Sequence, residues 1–138
     1  MATTLNKTKT ISTRCAVFDL IEDGILRVRL LENAEIDIDE SKLMQKKSLS
    51  MTQGKKFVVL IDARAEVVVS RESREWGSTE EGQKNLIAQA IVVNTLANRI
   101  VGNFIIKFHK PIAKTALFTD ERNALAWLIE QKRQAVLK

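Results

Sequence analysis

The sequence predicts a single α/β domain in which an N-terminal β-hairpin precedes alternating strands and helices on a mostly parallel sheet. Apolar and polar residues alternate on both sides of Asp23-Gly24, which is typical of a hairpin. Residues 57–61, FVVLI, form a short apolar run without alternation, as expected for a strand covered on both faces. Strand-like and helix-like segments then alternate to the C-terminus.

The composition is that of an ordinary globular domain. The chain has 138 residues, 45% apolar and 28% charged, which suffices to bury a core without a metal or disulfide. Its single cysteine excludes an internal disulfide and favours a reducing compartment. No apolar run reaches the roughly 18 residues of a spanning helix, and the first residues lack the apolar core of a secretion signal. We therefore expect a cytoplasmic protein without an integral membrane segment.

The net charge of +5 comes from 22 basic and 17 acidic residues. Basic residues occur in the N-terminal segment, at one strand entry and at the end of the last helix, and they do not form a single stripe. Aromatic residues make up only 5%, so no stacking platform accompanies these charges. We interpret the basic residues as solvated surface and expect no nucleic-acid partner.

In the N-terminal half, residues 1–13 are polar and show no periodicity, which predicts a disordered tail before a single domain at 14–138. The hairpin follows, with apolar side chains on its inner face and polar side chains on a solvated outer face. Asp39 is predicted to cap the first helix, and Gly54 to end it.

In the C-terminal half, residues 57–61 are predicted to form the central strand and 88–93 a second buried strand. Ser70 is expected to cap a helix that runs through Trp76. A further helix is predicted from Thr95, and Pro111 prevents its continuation.

The last strand and helix follow each other directly in KTALFTDERNALAWL, residues 114–128. Thr119 is predicted to be the N-cap of the final helix. Ala124, Trp127 and Leu128 then share one face, so we expect Trp127 to be largely buried against the sheet.

No motif identifies a reaction. His109 is the only histidine and Cys15 the only cysteine in the sequence, which is too few for a His/Cys metal cluster. A serine triad would have to use His109, and the sequence has no G-x-S-x-G segment to present the serine. Gly77 and Gly82 have phosphate-loop spacing, but the Lys and Ser/Thr of that motif are missing. Cys15 is interpreted as a small core or edge residue. We expect a non-enzymatic protein with no catalytic residues, metal or cofactor.

Asp62 is the one carboxylate at the end of the predicted central strand, where ligands of α/β sheets bind. The alternative is a turn residue whose side chain accepts a backbone hydrogen bond. Both interpretations remain open at this stage.

The chain resembles an uncharacterised bacterial branch of the STAS-like, or SpoIIAA-like, proteins over about residues 14–132. The resemblance is strongest at residues 102–128, and LIDAR (60–64) and SRESR (70–74) are also similar. The residues that match the branch in the first of these segments are Asn103, Phe104, Phe108, Pro111, Leu117 to Asp120, Ala124, Trp127 and Leu128. The resemblance implies a SpoIIAA-like fold and says little about function.

In the anti-sigma-factor antagonists of this fold, a partner kinase phosphorylates a serine near the start of the helix after the central strand. The nearest counterpart here is Ser70, with Ser73 one turn later. The spacing differs, because the antagonists have Asp-Ser directly after the strand, whereas seven residues separate Asp62 from Ser70 in this chain. A simple N-cap is the alternative role of Ser70. The resemblance makes Ser70 and Ser73 candidate regulatory residues, and the candidate ligand or partner surface comprises Asp62, Arg64, Arg71 and Arg74.

Two functional hypotheses follow. The first is a non-enzymatic STAS-like protein-interaction or regulatory module, with a protein partner or a second copy in a homodimer. The second is a binder of a small apolar or anionic, lipid-like ligand in a cleft between sheet and helices. An apolar cavity between the sheet and the helices starting near Ser70 and Thr95 would favour the second hypothesis.

Overall fold

The computed structural model describes residues 9–94 and 112–137. The strands are β1 (Lys9–Ser12), β2 (Ala16–Glu22), β3 (Ile25–Leu30), β4 (Glu35–Ile36), β5 (Phe57–Asp62), β6 (Val68–Val69), β7 (Leu86–Val92) and β8 (Lys114–Phe118). The helices are α1 (Ile38–Met51), α2 (Arg71–Gly77) and α3 (Glu121–Leu137). Within the described residues, six strands form one sheet in the order β1-β2-β3-β5-β7-β8, and β4 pairs with β6.

The main sheet is mixed, so the prediction of a mostly parallel sheet is wrong. The pairs β1–β2 and β2–β3 are antiparallel, whereas β3–β5, β5–β7 and β7–β8 are parallel. The N-terminal segment accounts for part of the difference. Lys9–Ser12, predicted to belong to a disordered tail, instead pair with β2 along their whole length. This pairing gives hydrogen-bond partners to an edge of β2 that would otherwise be open.

The N-terminal hairpin is present as predicted, with Asp23 and Gly24 in its turn and Gly24 at a φ of +78°. Its outer face, however, is only partly solvated: Arg29 is exposed, whereas other residues of this face are covered. Ile25 is only 2% exposed because it packs with Ala124 and Leu128 of α3. Asp19 is only 6% exposed, and its carboxylate accepts hydrogen bonds from Thr10 and Arg27. Lys132 near the end of α3 donates a hydrogen bond of 2.6 Å to the Asp23 carbonyl oxygen, which ties the helix to the turn.

The two faces of the sheet carry separate parts of the core. On the face that we call the α3 face, six buried strand residues pack with Ala124 and Leu128 of α3: Ile25, Val58, Leu60, Ala88, Ala90 and Val92. On the opposite face, the α1 face, six others pack with Met51 of α1: Ala16, Phe18, Leu26, Val28, Phe57 and Val59. The central strand β5 contributes to both clusters, as its unalternating apolar run predicted.

One of the three predicted helix caps is confirmed, and the other two helices are capped by a neighbouring residue. Ser70 caps α2 as predicted. The cap of α1 is Asp37 rather than Asp39, since the Asp37 carboxylate accepts the Glu40 amide at 2.9 Å. For α3 the Asp120 carboxylate accepts the Asn123 amide at 2.8 Å, so this residue rather than Thr119 fills the role. In both cases the residue that caps the helix is the one whose carboxylate accepts the backbone amide three positions later.

The apolar face of α3 was predicted correctly, with one difference in degree. Ala124 and Leu128 are completely buried, at 0% exposure. Trp127 is only half-buried and packs beside Phe118, with 5.7 Å between ring centroids. The predicted helix from Thr95 and the lone His109 lie outside the described residues. Within the described part of the chain, no helix combines the length and hydropathy needed to cross a bilayer.

Candidate functional site

Two arginines and three carboxylates meet on the α3 face, near the carboxyl end of β5. Asp19 and Arg27 are directly opposite each other across the β2–β3 pair. Asp62 ends β5, Arg64 follows it in the loop, and Glu121 is the first residue of α3. We call these five residues the charged cluster.

The charged cluster is a chain of paired hydrogen bonds. Arg27 donates from Nε and Nη2 to the Glu121 carboxylate at 2.7 and 2.9 Å, and Arg64 donates from the same two atoms to Asp62 at 2.9 and 2.8 Å. The Arg64 guanidinium also reaches Glu121. Weaker contacts join Arg27 to Asp19 at 3.4 Å and to Asp62 at 3.8 Å. Such fork-shaped pairs hold both partners in a defined geometry.

These contacts lower the pKa of two carboxylates of the charged cluster, Asp62 and Glu121. The hydrogen bonds from Arg64 lower the pKa of Asp62, against the opposing effect of burial. Those from Arg27 lower the pKa of Glu121 in the same way. A general acid or base needs a pKa near the working pH, and these groups are moved away from it. The charged cluster stabilises the packing of the start of α3 on the sheet, because Glu121 is hydrogen-bonded to Arg27 and Arg64.

The backbone amide of Arg64 also donates a hydrogen bond to the Asp62 carboxylate, at 3.1 Å, which agrees with the interpretation of this aspartate as a turn residue.

The candidate residues of α2 lie apart from the charged cluster, because α2 packs beside α1. Ser70 is half-buried, and its hydroxyl accepts the Ser73 amide at 3.1 Å. Ser73 itself is only 3% exposed, and its hydroxyl lies 2.7 Å from that of Ser41 on α1. Arg71 pairs with an acidic side chain of its own helix, and Arg74 donates to the Val69 carbonyl oxygen. Of the two candidate serines, only Ser70 is accessible without moving α2.

A cavity of about 270 Å³ lies on the α1 face, between the sheet and helices α1 and α2. Its apolar lining comes from Phe18, Val28, Leu30, Ile36, Met44, Phe57, Val59, Ile61, Val69, Trp76 and Leu86. Side-chain polar groups are contributed by Ser41, Gln45, Ser48, Lys84 and Gln89. Among the described residues that line the cavity, Lys84 is the one with a charged side chain, and it is solvent-exposed at the mouth.

The loop between α2 and β7 forms one side of this mouth. Gln45 of α1 donates to the Glu81 carbonyl oxygen, and Trp76 of α2 donates to the Glu81 carboxylate at 3.0 Å. Gly82 packs so closely under α2 that a Cβ atom would overlap the Trp76 carbonyl oxygen. Packing thus explains Gly82, one of the two glycines whose spacing imitates a phosphate loop.

Comparison with known proteins places the chain in a family. The model of a domain of unknown function, DUF7793, matches residues 20–132. The chain belongs to this family. No curated protein matches the chain. The DUF7793 match covers both the charged cluster and the residues around the cavity, apart from Phe18 and Asp19.

A solved structure shows the fold. The crystal structure of an uncharacterized protein from the DUF3478 family, with a SpoIIAA-like fold, from Shewanella loihica PV-4, superposes with a TM-score of 0.57. The match covers 87% of this chain and 90% of that chain at 16% sequence identity. This DUF7793 chain therefore has a STAS-like, SpoIIAA-like fold, as the sequence resemblance implied.

Sequence reasoning missed three members of the charged cluster: Asp19, Arg27 and Glu121. Opposite charges on the two sides of the hairpin were a usable signal for the first two, because such residues pair across antiparallel strands. No local signal marks Glu121, which is 94 positions from Arg27 in the chain. Within residues 9–94 and 112–137, no group of three acidic, histidine or cysteine side chains is arranged to hold a metal ion.

Proposed function

We propose that this chain binds a small, mainly apolar ligand in the cavity between the α1 face and helices α1 and α2, without catalysing a reaction on it. The observation that carries the proposal is the cavity itself. It has about 270 Å³ of space, largely apolar walls and a few polar groups at defined places. Small-molecule sites in proteins have this kind of lining, and this cavity lies just below their usual size range of roughly 300–1,000 Å³.

The distribution of charge supports binding rather than catalysis. The charged cluster lies on the α3 face, on the other side of the sheet, and its members satisfy one another. The polar lining of the cavity consists of two serines, two glutamines and Lys84. We assign no acid, base or nucleophile among these groups.

The chain carries its own reporter for this test. Trp76 lines the cavity, whereas Trp127, the other of the two tryptophans, packs on the α3 face. In a Trp127→Phe background the fluorescence reports Trp76 alone. We expect a saturable change on titration with decanol, an uncharged apolar probe, at concentrations below those at which it self-associates.

A filled cavity provides the matched control. Ser48 lines the cavity from α1, so Ser48→Leu places a larger apolar side chain in the space. Ser50 is exposed on the same helix, so Ser50→Leu makes the same chemical change outside the cavity. We expect Ser48→Leu to weaken decanol binding about tenfold and Ser50→Leu to leave it unchanged. Equal binding by both variants, or no binding by the parent, would refute the proposal. Native mass spectrometry of protein from its own host would reveal the natural ligand.

A second candidate function is a regulatory or protein-interaction module that acts on a protein partner or as a homodimer. Ser70 favours it, because this serine is half-buried at the start of α2 while Ser73 is covered. A phosphate on Ser70 would add up to about two negative charges at the positive end of the helix. In pull-downs from host lysate, a partner lost with Ser70→Asp and kept with Ser70→Ala supports this function. Identical profiles with unchanged melting curves indicate that Ser70 is only a cap.

A further inference from the structure

We infer that the ligand is an amphipathic monoanion: a carboxylate recognised by Lys84 at the mouth, with an apolar tail of about nine non-hydrogen atoms in the cavity. The inference rests on the proposed function and names the chemical class that the same cavity takes. It follows from three properties of the lining: which polar groups are already paired, where the charge lies, and how much space remains.

Most polar side chains of the cavity already have partners within the protein. The Ser48 hydroxyl donates to the Met44 carbonyl oxygen at 3.0 Å, and the Ser41 hydroxyl lies 2.7 Å from that of Ser73. The side-chain amide of Gln89 donates to the Thr115 hydroxyl at 2.9 Å. A polar group placed deep in the cavity would lose its hydration and find these groups engaged. The part of the ligand inside the cavity is therefore apolar.

Lys84 is the exception. It lines the cavity and is exposed, and in the described part of the chain it forms no ion pair. The nearest acidic side chain along the loop, Glu81, accepts a hydrogen bond from Trp76 at 3.0 Å. An anionic group that leaves the cavity at its mouth reaches the Lys84 ammonium while it remains partly hydrated. One lysine matches one negative charge.

The volume limits the tail. A water-sized group occupies about 30 Å³ in a liquid, so a cavity of about 270 Å³ accepts roughly nine such groups. Decanoate has a tail of this size behind its carboxylate. Hexadecanoate has a tail that exceeds the space and would leave the additional methylene groups in water.

The test compares decanoate with decanol in the Trp127→Phe background. We expect Lys84→Gln to weaken decanoate binding roughly threefold at low ionic strength, the size expected for an exposed charge pair, and to leave decanol binding unchanged. The effect should shrink at 1 M salt. Lys9→Gln is the matched control, because Lys9 is an exposed lysine on β1, at the far edge of the sheet.

The possible outcomes separate this inference from the proposed function. If decanol and decanoate both fail to bind, the proposed function is wrong. If both bind and Lys84→Gln leaves the affinity for decanoate unchanged or lowers both affinities equally, the cavity binds ligands but the anion inference is wrong. Tail length gives an independent check, since affinity should stop rising beyond decanoate. A gain of about 0.8 kcal/mol per methylene that continues to hexadecanoate would overturn the size argument.

Discussion

Removal of Arg27 should destabilise the fold strongly, because this one side chain contacts three carboxylates. Arg27→Met keeps most of the side-chain volume and deletes two hydrogen bonds to Glu121 and the contacts to Asp19 and Asp62. The side chains of these two aspartates are only 9% and 6% exposed. Asp62 retains Arg64, whereas among residues 9–94 and 112–137 the hydroxyl of Thr10, at 2.7 Å, is the remaining side-chain partner of Asp19.

The magnitude follows from these contacts. Hydrogen bonds to charged groups contribute about 1.5–3 kcal/mol, and leaving a buried acceptor unpaired costs about 1–3 kcal/mol. Arg27 is 24% exposed and Glu121 31% exposed, so solvent screening reduces the first contribution. We expect a loss of about 2–4 kcal/mol in the free energy of unfolding at pH 7.

Urea denaturation at several pH values measures the effect, with Arg29→Met as the control. Arg29 is exposed on the same strand and side of the sheet, so its substitution should change stability by less than about 0.5 kcal/mol.

The effect should also depend on pH. Arg27 lowers the pKa of Glu121, and the pKa of Asp62 is also below its ordinary value. The stability that these carboxylates contribute is present above about pH 5 and is lost as the pH falls through their folded-state values. The gap between wild type and Arg27→Met should therefore be largest near neutral pH and shrink below about pH 4. A loss of stability below about 1 kcal/mol, or one equal to that of Arg29→Met, would refute the conclusion that the charged cluster stabilises the packing of α3 on the sheet.

Trp127→Ala should lower the free energy of unfolding in urea by about 2–3 kcal/mol. This is less than the roughly 3–5 kcal/mol expected for a fully buried ring, because Trp127 is half-buried. A decrease below about 1 kcal/mol would contradict the packing of α3. Gly82→Ala should lower the melting temperature because its Cβ would overlap the Trp76 carbonyl oxygen, whereas Gly77→Ala, with open space around it, should be neutral or stabilising. The Cys15 thiol is buried, and burial raises its pKa. DTNB at pH 8 should therefore label the native protein about a hundredfold more slowly than the urea-unfolded chain. Immediate labelling of the native protein would contradict the burial of Cys15. Duplex DNA should bind more weakly than micromolar at about 0.15 M salt despite the charge of +5, and tighter binding with a steep salt slope would refute that interpretation.

Features encoded by a few neighbouring residues were predictable from the sequence. The alternation around Asp23-Gly24 specifies the hairpin, because successive strand residues point to opposite faces. The unbroken apolar run of β5 marks a strand buried on both faces, and Ser70 marks the start of α2. The resemblance of the chain to SpoIIAA-like proteins rests on similar local motifs and led to the right fold.

The tertiary structure alone decided which polar residues would be covered and where space would remain. Asp19 has the pattern of a solvent-facing strand residue, yet it is buried in contact with Thr10 and Arg27. Arg27 in turn pairs with Glu121 of α3, 94 positions later. The charged cluster joins three strands, a loop and a helix, and the cavity joins the opposite face of the sheet to α1 and α2. Side-chain patterns record the periodicity of one element, whereas burial, ion pairing and cavities depend on how distant elements pack together.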